Sequence, residues 1–130
     1  MILTAATCLA LTVYFESRGE SPDAQLAVAE VVMNRVQDPR FAGTPCDVMK
    51  EDWGPLDHDC QFSFWCDGKP ETISDPLAWA VAEDIARKAL NGDVLGHGAT
   101  HYHADYVDPW WADTLTPVAK IGIHYFYVWE

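Results

Sequence analysis

The sequence predicts an α+β domain in which helices come first and a small antiparallel sheet lies near the C-terminus. Three observations carry this prediction. Apolar residues recur at helical spacing before Gly19, between Ala24 and Val36, and after Pro76. Two later segments, Thr100 to Tyr106 and Ile121 to Val128, are rich in aromatic and β-branched residues instead. No linker, repeat or low-complexity stretch interrupts the 130 residues, so residues 1–130 are read as one domain around one core.

The first helix runs from Thr4 to Ser17, with Ala5, Cys8, Leu9, Thr12 and Val13 forming one face and Gly19 as a stop. Ser21 and Pro22 restart a helix as N-cap and first helical residue. From Ala24 to Val36 it is apolar nearly all round, the pattern of a helix at the buried centre of a domain. Thr44-Pro45 opens a short helical turn, and residues 51–75, with Gly54, Pro55, Gly68 and Pro70, show no period. Pro76 opens a third long helix that ends near Asn91, with Gly92 as its stop. Leu77, Val81, Ile85 and Ala89 are its expected core stripe, and Glu83/Arg87 and Asp84/Lys88 its outer charge pairs. Between the two expected strands, Pro109-Trp110-Trp111 reads as a helical turn.

Asp and Glu number 20 against 8 Lys and Arg, a formal net charge of -12. That charge repels nucleic acid and anionic lipid, so neither is an expected partner. No apolar run approaches the ~20 residues that span a bilayer, so membrane insertion is not expected. Met1 to Ala6 lacks the basic segment and full apolar core of a secretion signal. The four cysteines, Cys8, Cys46, Cys60 and Cys66, are even in number. At least one disulfide is expected among Cys46, Cys60 and Cys66, with the pairing open and a buried free thiol as the alternative for Cys8.

Glu16 is the first candidate for chemistry. It continues the apolar stripe of the first helix, three residues after Val13, and lies near the helix C-terminus. Partial desolvation and the negative end of the helix dipole both favour its protonated form. A carboxyl of that kind suits protonation of a glycosidic oxygen. The alternative is a helix-end carboxylate paired with Arg18 or a capping amide. Glu20 lies beyond Gly19 and reads either as a loop carboxylate at the next helix start or as part of a site. Glu30, inside the apolar second helix, requires a partner, with Asn34 and Arg35 as local candidates, and is read as structural.

His97, His101 and His103 raise a zinc hypothesis, because alternation puts His101 and His103 on one strand face. No H-E-x-x-H element supports it, and no metal or other cofactor is expected. Trp53, Phe62, Phe64, Trp65, Tyr102, Tyr106, Trp110 and Trp111 crowd the loops and strands. Most are expected in the core, but sugar rings also stack on such side chains. Gln61, Asp67, Tyr102 and His103 place hydrogen-bonding groups beside them. A nucleophilic serine elbow and a phosphate loop are both absent, and a Cys66/His103 pair would be removed by disulfide formation.

The run Tyr14-Phe15-Glu16-Ser17-Arg18-Gly19-Glu20 resembles the Y-x-E-A-R-G-E signature of bacterial cell wall hydrolases of the spore-cortex-lytic (SleB-type) family. The likeness continues through Gln25 to Ala29, Asn34-Arg35-Val36, Cys60 to Phe64 with Cys66-Asp67-Gly68, Ala99 to His103 and Ile121 to Tyr127. Ser17 stands where alanine is usual, and Glu30 where the family has an uncharged residue. The resemblance implies a lysozyme-like helical core that cuts peptidoglycan glycan strands between N-acetylmuramic acid and N-acetylglucosamine. It implies Glu16 as the catalytic residue and a lytic transglycosylase reaction that leaves 1,6-anhydro ends. Glu20, Gln61, Phe64, Tyr102 and His103 are the expected substrate contacts. The alternatives are a hydrolytic muramidase, a zinc amidase or a non-catalytic glycan-binding module. The expected enzyme is a monomer acting on the cell wall, in the periplasm or outside the cell. As a phage endolysin it would be made in the host cytoplasm and released through a holin.

Overall fold

The computed structural model describes residues 1–52 and 60–130, so Trp53, Gly54 and Pro55 lie outside the described residues. Four α-helices, α1 (Ala5–Ser17), α2 (Pro22–Val36), α3 (Pro45–Met49) and α4 (Pro76–Leu90), precede three strands. The strands are β1 (His101–Ala104), β2 (Thr116–Ile121) and β3 (His124–Val128). Each helix begins on a side-chain cap. Thr4, Ser21, Thr44 and Asp75 accept from the backbone N–H three residues on, and proline opens α2, α3 and α4.

Helix α1 is the buried axis of the molecule. It packs against α2, α3 and α4. Cys8 to Tyr14 are all buried, so the single face expected from spacing is in fact a full circumference. Its buried hydroxyls stay satisfied: Thr12 donates to the Cys8 carbonyl at 3.0 Å and Ser17 to that of Val13 at 2.8 Å. A second, smaller core of Ala27, Val28, Val31, Ala99 and Phe126 joins α2 to the sheet.

In α4 the expected stripe is corrected. Ile85 and Ala89 are buried, together with Ala82 and Ala86, but Leu77 is 82% exposed and Val81 42%. Four-residue steps overshoot a 3.6-residue turn by about 40° each, so a run of three such steps drifts roughly a third of the way round the helix. The 82, 85, 86, 89 set stays on one side. Asp84 takes both outer cations, Arg87 at 2.8 Å and Lys88 at 3.5 Å, so Arg87 faces Asp84 instead of Glu83.

The sheet has the order β1-β3-β2, antiparallel throughout. The expected strand from Ile121 to Val128 is a hairpin instead: Ile121 ends β2, and the turn sits at Gly122, whose φ is +60°. β2 went unread because Pro117 breaks its pattern; as an edge strand paired only with β3 it tolerates that proline. The expected strand from Thr100 to Tyr106 is shorter, His101–Ala104. Trp110–Asp113 form the expected helical turn, of 3-10 type. Tyr102 pairs with Phe126 and Ala104 with His124, so these four face one side of the sheet, and His101 and His103 face the other with Tyr127 and Tyr125.

Two disulfides tie the chain, Cys8–Cys46 and Cys60–Cys66. The first pins α1 to α3, and Cys8 is therefore bonded, not a free thiol.

Candidate active site

A cleft of about 340 Å³ opens where the C-terminal end of α1 meets the sheet. Glu16 enters it from the last turn of α1, half-buried. The helix stops there because Arg18 leaves helical geometry and Gly19 takes φ +85°, a left-handed conformation that suits glycine. Tyr14, one turn earlier, anchors the neighbourhood: its oxygen accepts from Arg18 at 2.5 Å, from Ser74 at 3.2 Å and from Asp75 at 3.0 Å.

Burial pushes the Glu16 carboxyl above its ordinary range, and a hydrogen bond from the Tyr102 hydroxyl to Oε1 opposes that rise without cancelling it. Tyr102 is itself held well above the usual phenol range, first by burial and then by the Glu16 charge. Arg35 reaches the cleft from α2. It is 1% exposed, donates from Nε to the Thr100 carbonyl at 2.6 Å and lies 4.7 Å from the Phe41 ring centre. Burial brings its pKa down to about 10, with Glu51 opposing, so it keeps its charge at neutral pH. Its Nη1 has no hydrogen-bond partner among the described residues.

The structure sorts the expected site residues. Glu16, Gln61, Tyr102 and His103 line one cleft. Phe64 does not; it is buried and stacks on Phe15, 5.0 Å between centres, and it is Phe15 that borders the cleft. Glu20 lines a neighbouring groove with Gln25 and Asp75, and its Oε1 lies 3.2 Å from His124 Nδ1, outside hydrogen-bond geometry. The Tyr102 hydroxyl is spent on Glu16 and not on open space. His103 donates from Nδ1 to the Ala104 carbonyl at 2.7 Å, which leaves Nε2 to accept from the Tyr127 hydroxyl at 2.8 Å.

Phe62 and Tyr106, from the aromatic set on which sugar rings could stack, also border the cleft, as do Arg35, His124 and Val107, which were not singled out for it. For Arg35 a signal existed: a cation inside an apolar helix. It was read only as a partner for Glu30. Glu30 instead accepts from the Gly96 amide at 2.8 Å, the Gly98 amide at 3.0 Å and the Asn34 side chain at 3.4 Å. It holds the loop before β1, a structural role.

The histidines of the zinc hypothesis are otherwise engaged. His97 Nε2 donates to the Ala27 carbonyl and its Nδ1 accepts from the Ala99 amide, both at 2.9 Å. His101 packs between Trp111 and Phe41, and burial lowers its pKa to about 4. The one close group of metal-ligating types among the described residues is Asp52, Cys60 and Cys66, and both cysteines are in a disulfide.

The profile of the cell wall hydrolase family matches residues 19–127. The chain belongs to that family. Glu16 precedes the matched segment. The spore cortex-lytic enzyme of Halalkalibacterium halodurans is 34% identical over 119 residues, 91% of this chain and 33% of that protein. That of Bacillus cereus is 32% identical over 119 residues, 91% of this chain and 42% of the relative. The chain thus spans well under half the length of these curated relatives. Among solved structures, the catalytic domain of the germination-specific lytic transglycosylase SleB from Bacillus anthracis matches with a TM-score of 0.76 at 28% identity, covering 98% of this chain and 96% of that one. The catalytic domain of Bacillus cereus SleB matches with the same TM-score at 30% identity, over 95% and 88% of the two chains. The family's fold is therefore the helical core with a small C-terminal antiparallel sheet described above. No helix among the described residues is long and apolar enough to cross a membrane.

Proposed function

We propose that this member of the cell wall hydrolase family cuts peptidoglycan glycan strands between N-acetylmuramic acid and N-acetylglucosamine as a lytic transglycosylase. The observation that carries the reading is that Glu16 is the one carboxylate among the described residues lining the cleft, and it is held toward its protonated form. A hydrolytic glycosidase normally sets two carboxyl groups across the scissile bond. Glu20, the nearest candidate, borders a different groove.

With one carboxyl, both proton transfers fall to Glu16. Its proton goes to the glycosidic oxygen as the bond from that oxygen to the muramic anomeric carbon breaks. The muramic 6-hydroxyl oxygen then bonds to the same carbon, and its proton returns to the Glu16 carboxylate. No water enters, and the substrate's own hydroxyl replaces the missing nucleophile, an effectively unimolecular attack. Gln61 borders the cleft as a donor for acetamido or hydroxyl oxygens, and Phe15 and Tyr106 offer apolar faces for sugar rings.

The enzyme works as a monomer on the wall itself, in the periplasm or outside the cell. The two disulfides favour such an oxidising setting. As a phage endolysin it would reach the wall through a holin. Digestion of purified peptidoglycan tests the reaction class. Soluble glycan fragments that keep their stem peptides, formed equally with chelator present, are expected. Release of free stem peptides from intact glycan would make the protein an amidase instead.

A further inference from the structure

We propose that Tyr102 is the positioning residue of Glu16: its hydroxyl fixes Oε1 and leaves Oε2 as the oxygen that carries the proton to and from the sugar. This rests on the glycan-strand reaction proposed above. A phenol has one O–H to give, and here it points at Glu16 Oε1. An oxygen already accepting that bond is the carbonyl-like oxygen of the protonated acid, so the acid proton resides on Oε2. Tyr102 therefore sets which oxygen reacts, and it is not free to donate to a sugar.

The hold on Tyr102 is itself built. Its ring lies 5.8 Å from Phe126 and stands edge-on to His124 at 5.1 Å and 84°. His124 is buried on the same sheet face, with Nδ1 facing Glu20 at 3.2 Å. The turn before it closes tightly: a Cβ at Gly122 would meet Glu20 Oε1 at 3.1 Å and the Ala24 Cβ at 3.2 Å. Glu16 and Glu20, either side of the α1 stop, thus each face one aromatic side chain of the sheet.

Among the described residues, the charged and titratable groups facing Glu16 across the cleft are Arg35 from α2, Tyr102 and His103 from β1, Tyr106 from the loop after β1, and His124 from β3. Burial lowers the His124 pKa despite Glu20, so its ring is neutral at neutral pH. The tyrosine O–H favours the Glu16 carboxylate, so removing it raises the Glu16 pKa further.

The test follows the Glu16 side-chain carboxyl by carbon-13 NMR titration in wild type, in Tyr102→Phe and in protein carrying a ring-fluorinated tyrosine at 102. The fluorinated ring keeps the packing and makes a stronger donor. The expected midpoint moves to higher pH in Tyr102→Phe and to lower pH with fluorotyrosine. On peptidoglycan, Tyr102→Phe is expected to lose kcat on the order of 10–100-fold, the value of a hydrogen bond to a charged group. KM should stay within about twofold. An unmoved Glu16 titration in both proteins overturns the proposal, as does a raised KM with kcat unchanged, which would return Tyr102 to the sugar. The titration needs no turnover, so a wild-type protein that fails to cut glycan defeats the functional reading and leaves the Tyr102 result legible.

Discussion

At Glu16 two opposing effects meet on one carboxyl. Burial at the end of α1 raises its pKa and the Tyr102 hydrogen bond lowers it, with burial the larger. Two outcomes follow for Glu16→Gln. Wall lysis should fall by at least the ~10²–10⁴-fold typical of losing a general acid, in a protein that still folds. Its stability should also diverge from wild type with pH. A carboxyl whose folded pKa is raised costs nothing below its unfolded value, about 4.3 for glutamate, and destabilises the fold as pH rises beyond it. The thermal midpoint of Glu16→Gln minus that of wild type should therefore be more positive at pH 7 than at pH 4. A gap independent of pH would mean that Glu16 is not desolvated. Much of this position was legible in the sequence, because Glu16 follows the spacing of Leu9 and Val13. The Tyr102 contact was not, since 86 residues separate donor from acceptor and no local pattern encodes a tertiary hydrogen bond.

The helices follow local chemistry closely, which is why their starts were readable: each cap residue makes its bond within three residues. Which face a helix buries is a tertiary matter. The alanines at 82, 86 and 89 of α4 are buried with Ile85, while larger Leu77 stays in solvent. In the sheet, a turn inside an apolar run misled the reading of Ile121 to Val128, because Gly122 is the only local mark of the reversal. Gly122→Ala tests that turn. The residue needs φ +60°, and its new Cβ would crowd Glu20 Oε1 and the Ala24 Cβ. A loss of about 1–3 kcal/mol in urea unfolding is expected from the strained backbone. An unchanged midpoint would show that the hairpin relaxes away from α2.

Across the whole molecule, Cys8–Cys46 closes a loop of sequence separation 38 and fastens the central helix to α3. A cross-link of that span typically contributes ~2–4 kcal/mol. Paired Cys8→Ala and Cys46→Ala replacement should lower the denaturant midpoint by a corresponding amount without changing the cleft; equal midpoints would mean the bond is absent or idle in solution. The broader frame, helices then a small sheet around one core, was open to sequence reading because the hydrophobic period changes after Gly98. The composition of the cleft was open only in part: Glu16, Gln61, Tyr102 and His103 were expected there, whereas Arg35 and His124 come from segments read as a buried helix and a strand. The cleft's single carboxylate among the described residues is the basis of the central claim, and the mass of the products tests it most directly. Exhaustive digestion of purified peptidoglycan, read by mass spectrometry, should yield muropeptides dominated by 1,6-anhydro ends, each lighter by one water than its hydrolytic counterpart. Spectra dominated by reducing-end muropeptides would contradict the account and require a water-activating group in place of the muramic 6-hydroxyl.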